Sequence, residues 1–285
     1  MSDVKKLAVI GAGTMGSGIA LVAASRGIDV ALIDVSEEQL SKASSYHAKT
    51  MDRNVKKERM TREEADTALS RIGCHTDMSD ASDADWVVEA ATENADLKKK
   101  IFKRMNEVFG DGVVLATNTS SISITDLATA VPDAADRVIG MHFFNPVPIM
   151  KLVEVINGRG TSEETTRRTI ELSEAMGKVP VPANDHAGFV SNRVLMPMIN
   201  EAFHAWSDGV AEPENIDSIM VLGCAFPMGP LRLADHIGLD VCRDIMLVMH
   251  RGLGDDKYLP APKLVELVEE GRLGNKTGHG VYDHS

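Results

Sequence analysis

The chain has 285 residues, more than one hydrophobic core usually holds, so we expect two domains. Its formal net charge of −12 argues against a nucleic-acid-binding protein, because such proteins carry a basic surface. No apolar run approaches the roughly 18 residues that a membrane span needs, so no membrane segment is expected. Three separated cysteines, Cys74, Cys224 and Cys242, predict reduced thiols in the cytoplasm without a disulfide or zinc framework.

The first forty residues predict a strand, a glycine turn, a helix and a second strand. The opening "MSDVKK" leads directly into the apolar strand at residues 7–10, so we expect no signal or transit peptide. A G-x-G-x-x-G motif follows the strand and opens the helix, which is the context of a dinucleotide-binding loop. Its glycines permit a tight turn and close approach to a pyrophosphate, which the helix N-terminus attracts. The predicted cofactor-binding residues of this loop are Gly11, Ala12, Gly13, Thr14, Met15 and Gly16.

Asp34 stands at the tip of the second predicted strand, near the spacing expected for an acid that binds the ribose. Its carboxylate would accept a hydrogen bond from a ribose hydroxyl and repel a 2′-phosphate. No Lys or Arg follows in "DVSEEQ" to hold that phosphate. The sequence therefore predicts NAD rather than NADP as the cofactor.

Residues 36–74 replace the short crossover that usually follows the second strand. They form a polar segment that predicts an insertion of one or two helices before the third strand. The segment carries the basic cluster Arg53, Lys56, Lys57, Arg59 and Arg62. This cluster is either a solvated helix face or a contact for a phosphate-bearing substrate.

Two further predicted strands end in polar residues. Residues 84–91 predict a buried strand followed by Glu93, and residues 113–117 a strand followed by the polar turn at 118–121. Ligands bind at the C-terminal ends of strands in such sheets, so Glu93, Asn118 and Ser120 are candidate ligand contacts. Ser121 is the weaker candidate, because it could cap the helix that starts near residue 123. Between these strands, an amphipathic helix is predicted to bury Leu97, Ile101, Met105 and Val108.

The segment "GMHFFNPVPIMKLVEVI" predicts two strands joined by a turn at "NPVP". Glu154 lies within an apolar run, where a carboxylate is costly to bury unless it has a partner; otherwise the strand is an edge strand with Glu154 in water. In a hairpin centred on Pro148, His142 stands opposite Glu154. Glu154 would then orient the imidazole and stabilise its cationic form, while the second ring nitrogen takes a proton from a substrate hydroxyl.

Beyond the composition change near residues 178–193, the chain predicts helices. We therefore expect a Rossmann-type doubly wound sheet over residues 1–185, with the helical insertion after its second strand, and an all-α domain over residues 186–285. The apolar faces of these helices predict a homodimer formed through them. The methionines of this domain, Met196, Met198, Met220, Met228, Met246 and Met249, are expected in the core. No histidine spacing indicates a metal site.

Several segments together resemble the L-3-hydroxyacyl-CoA dehydrogenases, in particular their short bacterial form. They are the glycine loop and the segments NTSS, HFFNPVPIMKLVEVI, AGFVSNR, PMGPLRLADHIGLD and KTGHGVYD. The resemblance covers essentially the whole chain, and Ala187 departs from it where a proline is common. It implies NAD-dependent, reversible oxidation of (S)-3-hydroxyacyl-CoA to 3-ketoacyl-CoA, a chemistry shared by fatty-acid breakdown and butyrate formation.

The resemblance also implies roles for individual residues. His142 would be the general base and acid, with Glu154 as its partner. Ser120 would bond the 3-oxygen of the substrate and touch the cofactor, and Asn192 would polarise the same oxygen or fix the thioester. The other implied contacts are Glu93, Lys98, Asn145 and Lys276 with NAD, and Thr50 and Lys57 with coenzyme A.

Two other functions stay open at this point. A dehydrogenase of a free 3-hydroxy acid would use the same fold, but it would not need the basic cluster that a polyanionic CoA ester requires. A non-enzymatic NAD-binding protein is a different class, and a sensor could lose His142 without penalty. The presence of His142, Glu154, Ser120 and Asn192 favours the enzyme.

Overall fold

The computed structural model describes residues 3–284. The chain divides into two compact units, Met1–Asp185 and His186–Ser285. The first unit contains a sheet flanked by helices, and the second is helical. Among the described residues, no helix combines the length and apolar character needed to cross a membrane.

The sheet of the first unit is mostly parallel. Its strands are β1 (Lys6–Ile10), β2 (Asp29–Ile33), β3 (Ile72–His75), β4 (Trp86–Glu89), β5 (Val114–Thr117), β6 (Val138–Phe143), β7 (Leu152–Asn157) and β8 (Val179–Asn184). In the described part of the chain their order is β3-β2-β1-β4-β5-β6-β7-β8. The strands from β3 to β6 are parallel, β7 is antiparallel to β6, and β8 is parallel to β7. This topology confirms the predicted Rossmann-type doubly wound sheet.

Helices connect the strands and cover the sheet. They are α1 (Thr14–Ser25), α2 (Glu37–Lys56), α3 (Arg62–Ser70), α4 (Ala95–Val108), α5 (Ile124–Ala128) and α6 (Glu163–Ala175). The helices α2 and α3 lie between β2 and β3, so the predicted helical insertion is confirmed. Ser36 caps α2, and a capping box of Thr61 and Glu64 starts α3.

The second unit consists of helices packed around their own core. They are α7 (Ser191–Ser207), α8 (Pro213–Cys224), α9 (Pro230–Ile237), α10 (Leu239–Leu253) and α11 (Pro262–Glu269). Met196, Met246 and Met249 are buried in this core, as predicted. Met228 is 38% exposed, so its core assignment is wrong. It lies in the loop after α8, which ends where Ala225 adopts a left-handed conformation.

Two sequence-based assignments in the first unit are wrong. The end of the polar insertion is not helical: Ile72–His75 is the edge strand β3, which pairs with β2. The helix α4 buries Lys98, Phe102 and Met105, whereas Leu97 is 46% exposed. A lysine can occupy the buried face because its ammonium meets a carboxylate there, which a count of apolar residues does not register.

The prolines near the end of the first unit lie within a strand. Pro180 and Pro182 both lie inside β8 and pair with β7. A proline cannot donate a ladder hydrogen bond, and β8 is the last strand of the sheet. An edge strand tolerates this loss on its outer side.

Candidate active site

The glycine loop brings β1, α1 and β4 into close contact. Gly11 has φ of +102°, and a Cβ there would lie 2.6 Å from Cα of Ala91. A Cβ on Gly16 would lie 1.8 Å from the carbonyl oxygen of Gly11, so α1 could not begin where it does. A Cβ on Gly13 would meet no protein atom within 4 Å. Gly13 therefore faces open space, and its lack of a side chain leaves the N-terminus of α1 accessible to a phosphate.

Asp34 lies beside this loop, directly after β2. Its carboxylate oxygens accept hydrogen bonds from the backbone N–H of Ala12 at 2.8 Å and of Ser36 at 2.9 Å. These bonds fix the side chain at the carboxyl edge of the sheet. Each oxygen keeps a lone pair that can accept a hydrogen bond from a ribose hydroxyl. The loop, the helix start and the acid together fit a dinucleotide.

A cavity of about 340 Å³ extends from the glycine loop to α2. Gly13, Asn145 and Tyr46 line it, so the predicted cofactor residue Asn145 lies beside the loop. Lys42 also lines the cavity and pairs with Glu38 at 2.7 Å. Lys42 was not among the predicted site residues, because it lies beyond the segment "DVSEEQ", which contains no cation.

Glu93 organises the polar turn after β5. One oxygen of its carboxylate accepts hydrogen bonds from the hydroxyls of Thr119, Ser120 and Ser121, at 2.7, 3.1 and 2.9 Å. It also accepts from the backbone N–H of Ser120 and Ser121. Glu93 and Ser120 thus lie together at the edge where ligand contacts were predicted. Ser121 does not cap α5, because Ser123 occupies the N-cap position and accepts from the N–H of Asp126.

A buried polar network lies under this turn. The ammonium of Lys98 donates to Glu89 at 2.5 Å, and the hydroxyl of Thr117 donates to the same oxygen at 2.7 Å. The ammonium of Lys98 also lies 3.8 Å from a carboxylate oxygen of Glu93. Both residues are predicted NAD contacts. A direct contact of Lys98 with NAD stays a prediction. Glu89 was not among the predicted site residues, although it lies within an apolar run in the same way as Glu154.

His142 and Glu154 face each other across β6 and β7. They are Cα partners in the antiparallel register, and Nδ1 of His142 lies 2.7 Å from a carboxylate oxygen of Glu154. The predicted cross-strand contact is therefore confirmed, and the alternative of Glu154 in water is wrong, because Glu154 is only 4% exposed. The ring of Phe144 lies 4.5 Å from the imidazole, centroid to centroid. Asn118 supports the same strand by accepting a hydrogen bond from the N–H of Phe143 at 2.9 Å.

The predicted coenzyme A contacts lie on the far half of α2. Thr50 is half-buried and lines a cavity of about 460 Å³ between α2 and the Pro146–Ile149 turn. Lys49 and Arg53 line the same cavity, whereas Lys57 caps α2 and is exposed. The cavity thus has basic side chains on its helical wall. This charge suits the phosphates of an anionic substrate.

Two predicted site residues belong to the second unit. Asn192 lies in the first turn of α7 and is 8% exposed. The ammonium of Lys276 lies 2.6 Å from both carboxylate oxygens of Asp240. Their contacts with substrate and NAD stay predictions. Among the described residues, no group of three His, Cys, Asp or Glu side chains could hold a metal ion.

Comparison with known proteins shows one family along the chain. The family model "3-hydroxyacyl-CoA dehydrogenase, NAD binding domain" matches residues 6–186. The model "3-hydroxyacyl-CoA dehydrogenase, C-terminal domain" matches residues 188–284. The probable 3-hydroxybutyryl-CoA dehydrogenase of Deinococcus radiodurans is 51% identical over 279 residues, which cover 98% of this chain and 100% of the relative.

Further relatives agree. The 3-hydroxybutyryl-CoA dehydrogenase of Bradyrhizobium diazoefficiens is 47% identical, with 99% of this chain and 96% of the relative covered. The crystal structure of (S)-3-hydroxybutyryl-CoA dehydrogenase PaaH1 from Ralstonia eutropha is similar with a TM-score of 0.96 and 48% identity, covering 99% of this chain and 100% of that one. The chain therefore belongs to the 3-hydroxyacyl-CoA dehydrogenase family. It is an oxidoreductase that uses NAD, as the sequence predicted.

Proposed function

We propose that this enzyme interconverts (S)-3-hydroxybutyryl-CoA and acetoacetyl-CoA, with His142 as general base and acid. The observation that carries the proposal is the buried bond of 2.7 Å between Nδ1 of His142 and Glu154. The names of the relatives support this substrate. Family membership sets aside the non-enzymatic alternative.

The His142–Glu154 pair suits proton transfer to and from a hydroxyl. Glu154 fixes the proton of the imidazole on Nδ1, so that Nε2 is the nitrogen that exchanges a proton with the substrate. The carboxylate stabilises the imidazolium that forms when the hydroxyl loses its proton. The same groups return the proton in the opposite direction, which makes the reaction reversible. When bound, NAD exchanges a hydride with the carbon that bears this oxygen.

Ser120 and Asn192 are the proposed donors to the 3-oxygen of the substrate. Hydrogen bonds from a hydroxyl and an amide to this oxygen polarise the carbonyl and stabilise the negative charge that develops on the oxygen. In the structure the hydroxyl of Ser120 donates to Glu93 at 3.1 Å, and it would rotate to donate to the substrate instead. The backbone N–H of Ser120, which donates to Glu93 at 2.9 Å, would keep the residue in place. Asn192 is buried in the first turn of α7, which limits the rotamers of its amide.

The coenzyme A part of the substrate explains the charge on α2. Thr50 and Lys57 are the proposed contacts, and Lys49 and Arg53 add positive charge at the cavity beside Thr50. A free hydroxy acid carries only one negative charge and would not need this wall. The geometry therefore favours a CoA ester over a free acid.

We also propose a cytoplasmic homodimer formed through the C-terminal helices. On α8, Ile219 and Leu222 are 61% and 84% exposed and line a shallow surface cavity with Ala211. Covering such side chains would stabilise a dimer. The free cysteines, of which Cys74 and Cys224 are exposed, suit a reducing compartment.

The direct test of the reaction is NADH oxidation with acetoacetyl-CoA, compared with free acetoacetate and with NADPH. Turnover only with the CoA ester and NADH would support the proposal, whereas turnover of acetoacetate alone would refute the substrate class. His142→Gln should lower kcat by about 100-fold or more, the usual scale for a general acid or base, while NADH still binds. His75→Gln, at the edge strand β3, is the matched control and should keep normal turnover.

A further inference from the structure

A cavity of about 570 Å³ lies next to the one assigned to the substrate. Its walls come from the C-terminal end of α1, the ends of α2 and α3 that face each other, and the segments at residues 148–151 and 176–178. Four basic residues line it, Arg26, Arg59, Lys151 and Lys178, together with the single acid Glu64. In a protein with a formal net charge of −12, this local excess of positive charge is unusual.

The protein neutralises the positive charge of this cavity only in part. Among residues 3–284, Arg26, Arg59 and Lys151 form no ion pair. Glu64 is engaged by the capping box, in which it accepts hydrogen bonds from the N–H of Thr61 at 2.7 Å and from its hydroxyl at 3.0 Å. Glu64 offsets only one of the four positive charges that line the cavity, and the remaining like charges repel one another unless an anion lies between them.

Lys178 shows that repulsion. Burial lowers the pKa of its ammonium from the ordinary value, and the neighbouring charge of Arg26 lowers that pKa further. The ammonium donates hydrogen bonds to the carbonyl oxygens of Val147 and Met150, the latter at 2.9 Å. Lys178 therefore holds the turn between β6 and β7 and leaves Arg26, Arg59 and Lys151 to meet a ligand.

We propose that this cavity binds a phosphate group through Arg26, Arg59 and Lys151. Two guanidinium groups can bond a phosphate bidentately, and Lys151 adds a further charge. Leu21, Met51 and Met176 give the cavity an apolar side that suits the organic part of a phosphate ester.

The phosphate can come from two sources. The cavity shares Thr50, Pro148 and Ile149 with the substrate cavity, so the nucleotide end of a CoA ester could reach it. This source rests on the proposed function. The other source is a free phosphate, which would bind whether or not the enzyme acts on CoA esters. In both cases the ligand contacts the turn that joins the strands of His142 and Glu154.

Calorimetric titration of three proteins tests the proposal. They are the wild type, the double variant Arg26→Ala/Lys151→Ala, and the control Lys100→Ala/Lys103→Ala, which removes the same charge from exposed positions of α4. Each protein is titrated with coenzyme A, dephospho-coenzyme A and inorganic phosphate. The replaced side chains lie at the surface, so the variants should fold.

If the site holds the 3′-phosphate of the substrate, wild type and control prefer coenzyme A to dephospho-coenzyme A by about tenfold, and the cavity variant loses this preference. If the site holds a free phosphate, coenzyme A and dephospho-coenzyme A bind with equal affinity. Inorganic phosphate then binds the cavity variant about tenfold more weakly than the control. Equal behaviour of cavity variant and control with all three probes overturns the proposal. Absence of acetoacetyl-CoA turnover in the wild type would refute the proposed function separately.

Discussion

The buried ion pair of Glu89 and Lys98 makes a quantitative test of the first unit possible. The two side chains are 0% and 1% exposed and lie 2.5 Å apart. Glu89 also accepts hydrogen bonds from the hydroxyl of Thr117 at 2.7 Å and from the N–H of Ala91 at 2.8 Å. Glu89→Gln keeps the size of the side chain and removes its charge. The next carboxylate, Glu93, is 3.8 Å from the ammonium and its side chain is 43% exposed.

The change should lower the free energy of unfolding by about 3–5 kcal/mol, because it leaves the buried ammonium with only the partly exposed carboxylate of Glu93, at 3.8 Å, as a counter-ion. Replacing both partners, in Glu89→Leu/Lys98→Met, should recover most of this loss, because no buried charge then remains. Lys99→Met is the control on the same helix. Its ion pair with Asp126 is 31% and 50% exposed, so that change should cost less than about 1 kcal/mol.

Urea unfolding followed by tryptophan fluorescence measures these values. The chain has two tryptophans, and a Trp206→Phe background leaves Trp86, which is fully buried at the start of β4, the strand that ends at Glu89. The signal then reports on the first unit alone. A loss below about 1 kcal/mol in Glu89→Gln would refute the reasoning. The reasoning would also be refuted if Glu89→Leu/Lys98→Met were no more stable than Glu89→Gln.

Four further predictions concern the cofactor edge and the cysteines. Gly16→Ala should weaken NADH binding at least about tenfold in a fluorescence titration, because its Cβ would lie 1.8 Å from a loop carbonyl. Gly13→Ala should keep wild-type stability in the same unfolding assay, because its Cβ would meet no protein atom within 4 Å. It should lose NADH affinity, because the Cβ would occupy the volume proposed for the cofactor. Asp34→Ser should shift the ratio of kcat/KM for NADPH over NADH upward by about tenfold or more, and an unchanged ratio would contradict its role. Burial raises the pKa of the Cys242 thiol to about 12, so its reactive thiolate is scarce below that pH. Maleimide at about pH 8 should therefore label the two exposed cysteines of the native chain, and mass spectrometry should find Cys242 modified only after unfolding.

The parts of the fold predicted from sequence depend on local patterns. The glycine loop has a fixed spacing between an apolar strand and a helix, and its φ of +102° at Gly11 is one that glycine adopts readily. The register of His142 and Glu154 follows from the symmetry of a hairpin about its turn. Both predictions need only residues that are close in the chain.

The parts that were missed depend on contacts between elements whose relative position no motif or hairpin turn fixes. The strand β3 has four residues with an irregular burial pattern, and it exists because β2 offers an edge to pair with. The burial of Lys98 requires Glu89 from another element, nine positions earlier. The cluster at Glu93 joins a residue that follows β4 to a turn that follows β5. No periodicity within one segment carries these pairings.

The change of strand direction at β7 explains why the candidate acid–base pair lies within one hairpin. A parallel neighbour of β6 would need a crossover of a dozen or more residues before it returned to the sheet. Residues 144–151 instead form a short turn, and the two side chains meet directly across the antiparallel register. Burying Glu154 is costly by itself, but His142 offsets the cost at the same position. The pair is thus aligned by the sheet itself, as proton transfer requires, whereas Ser120 lies on a turn that depends on Glu93.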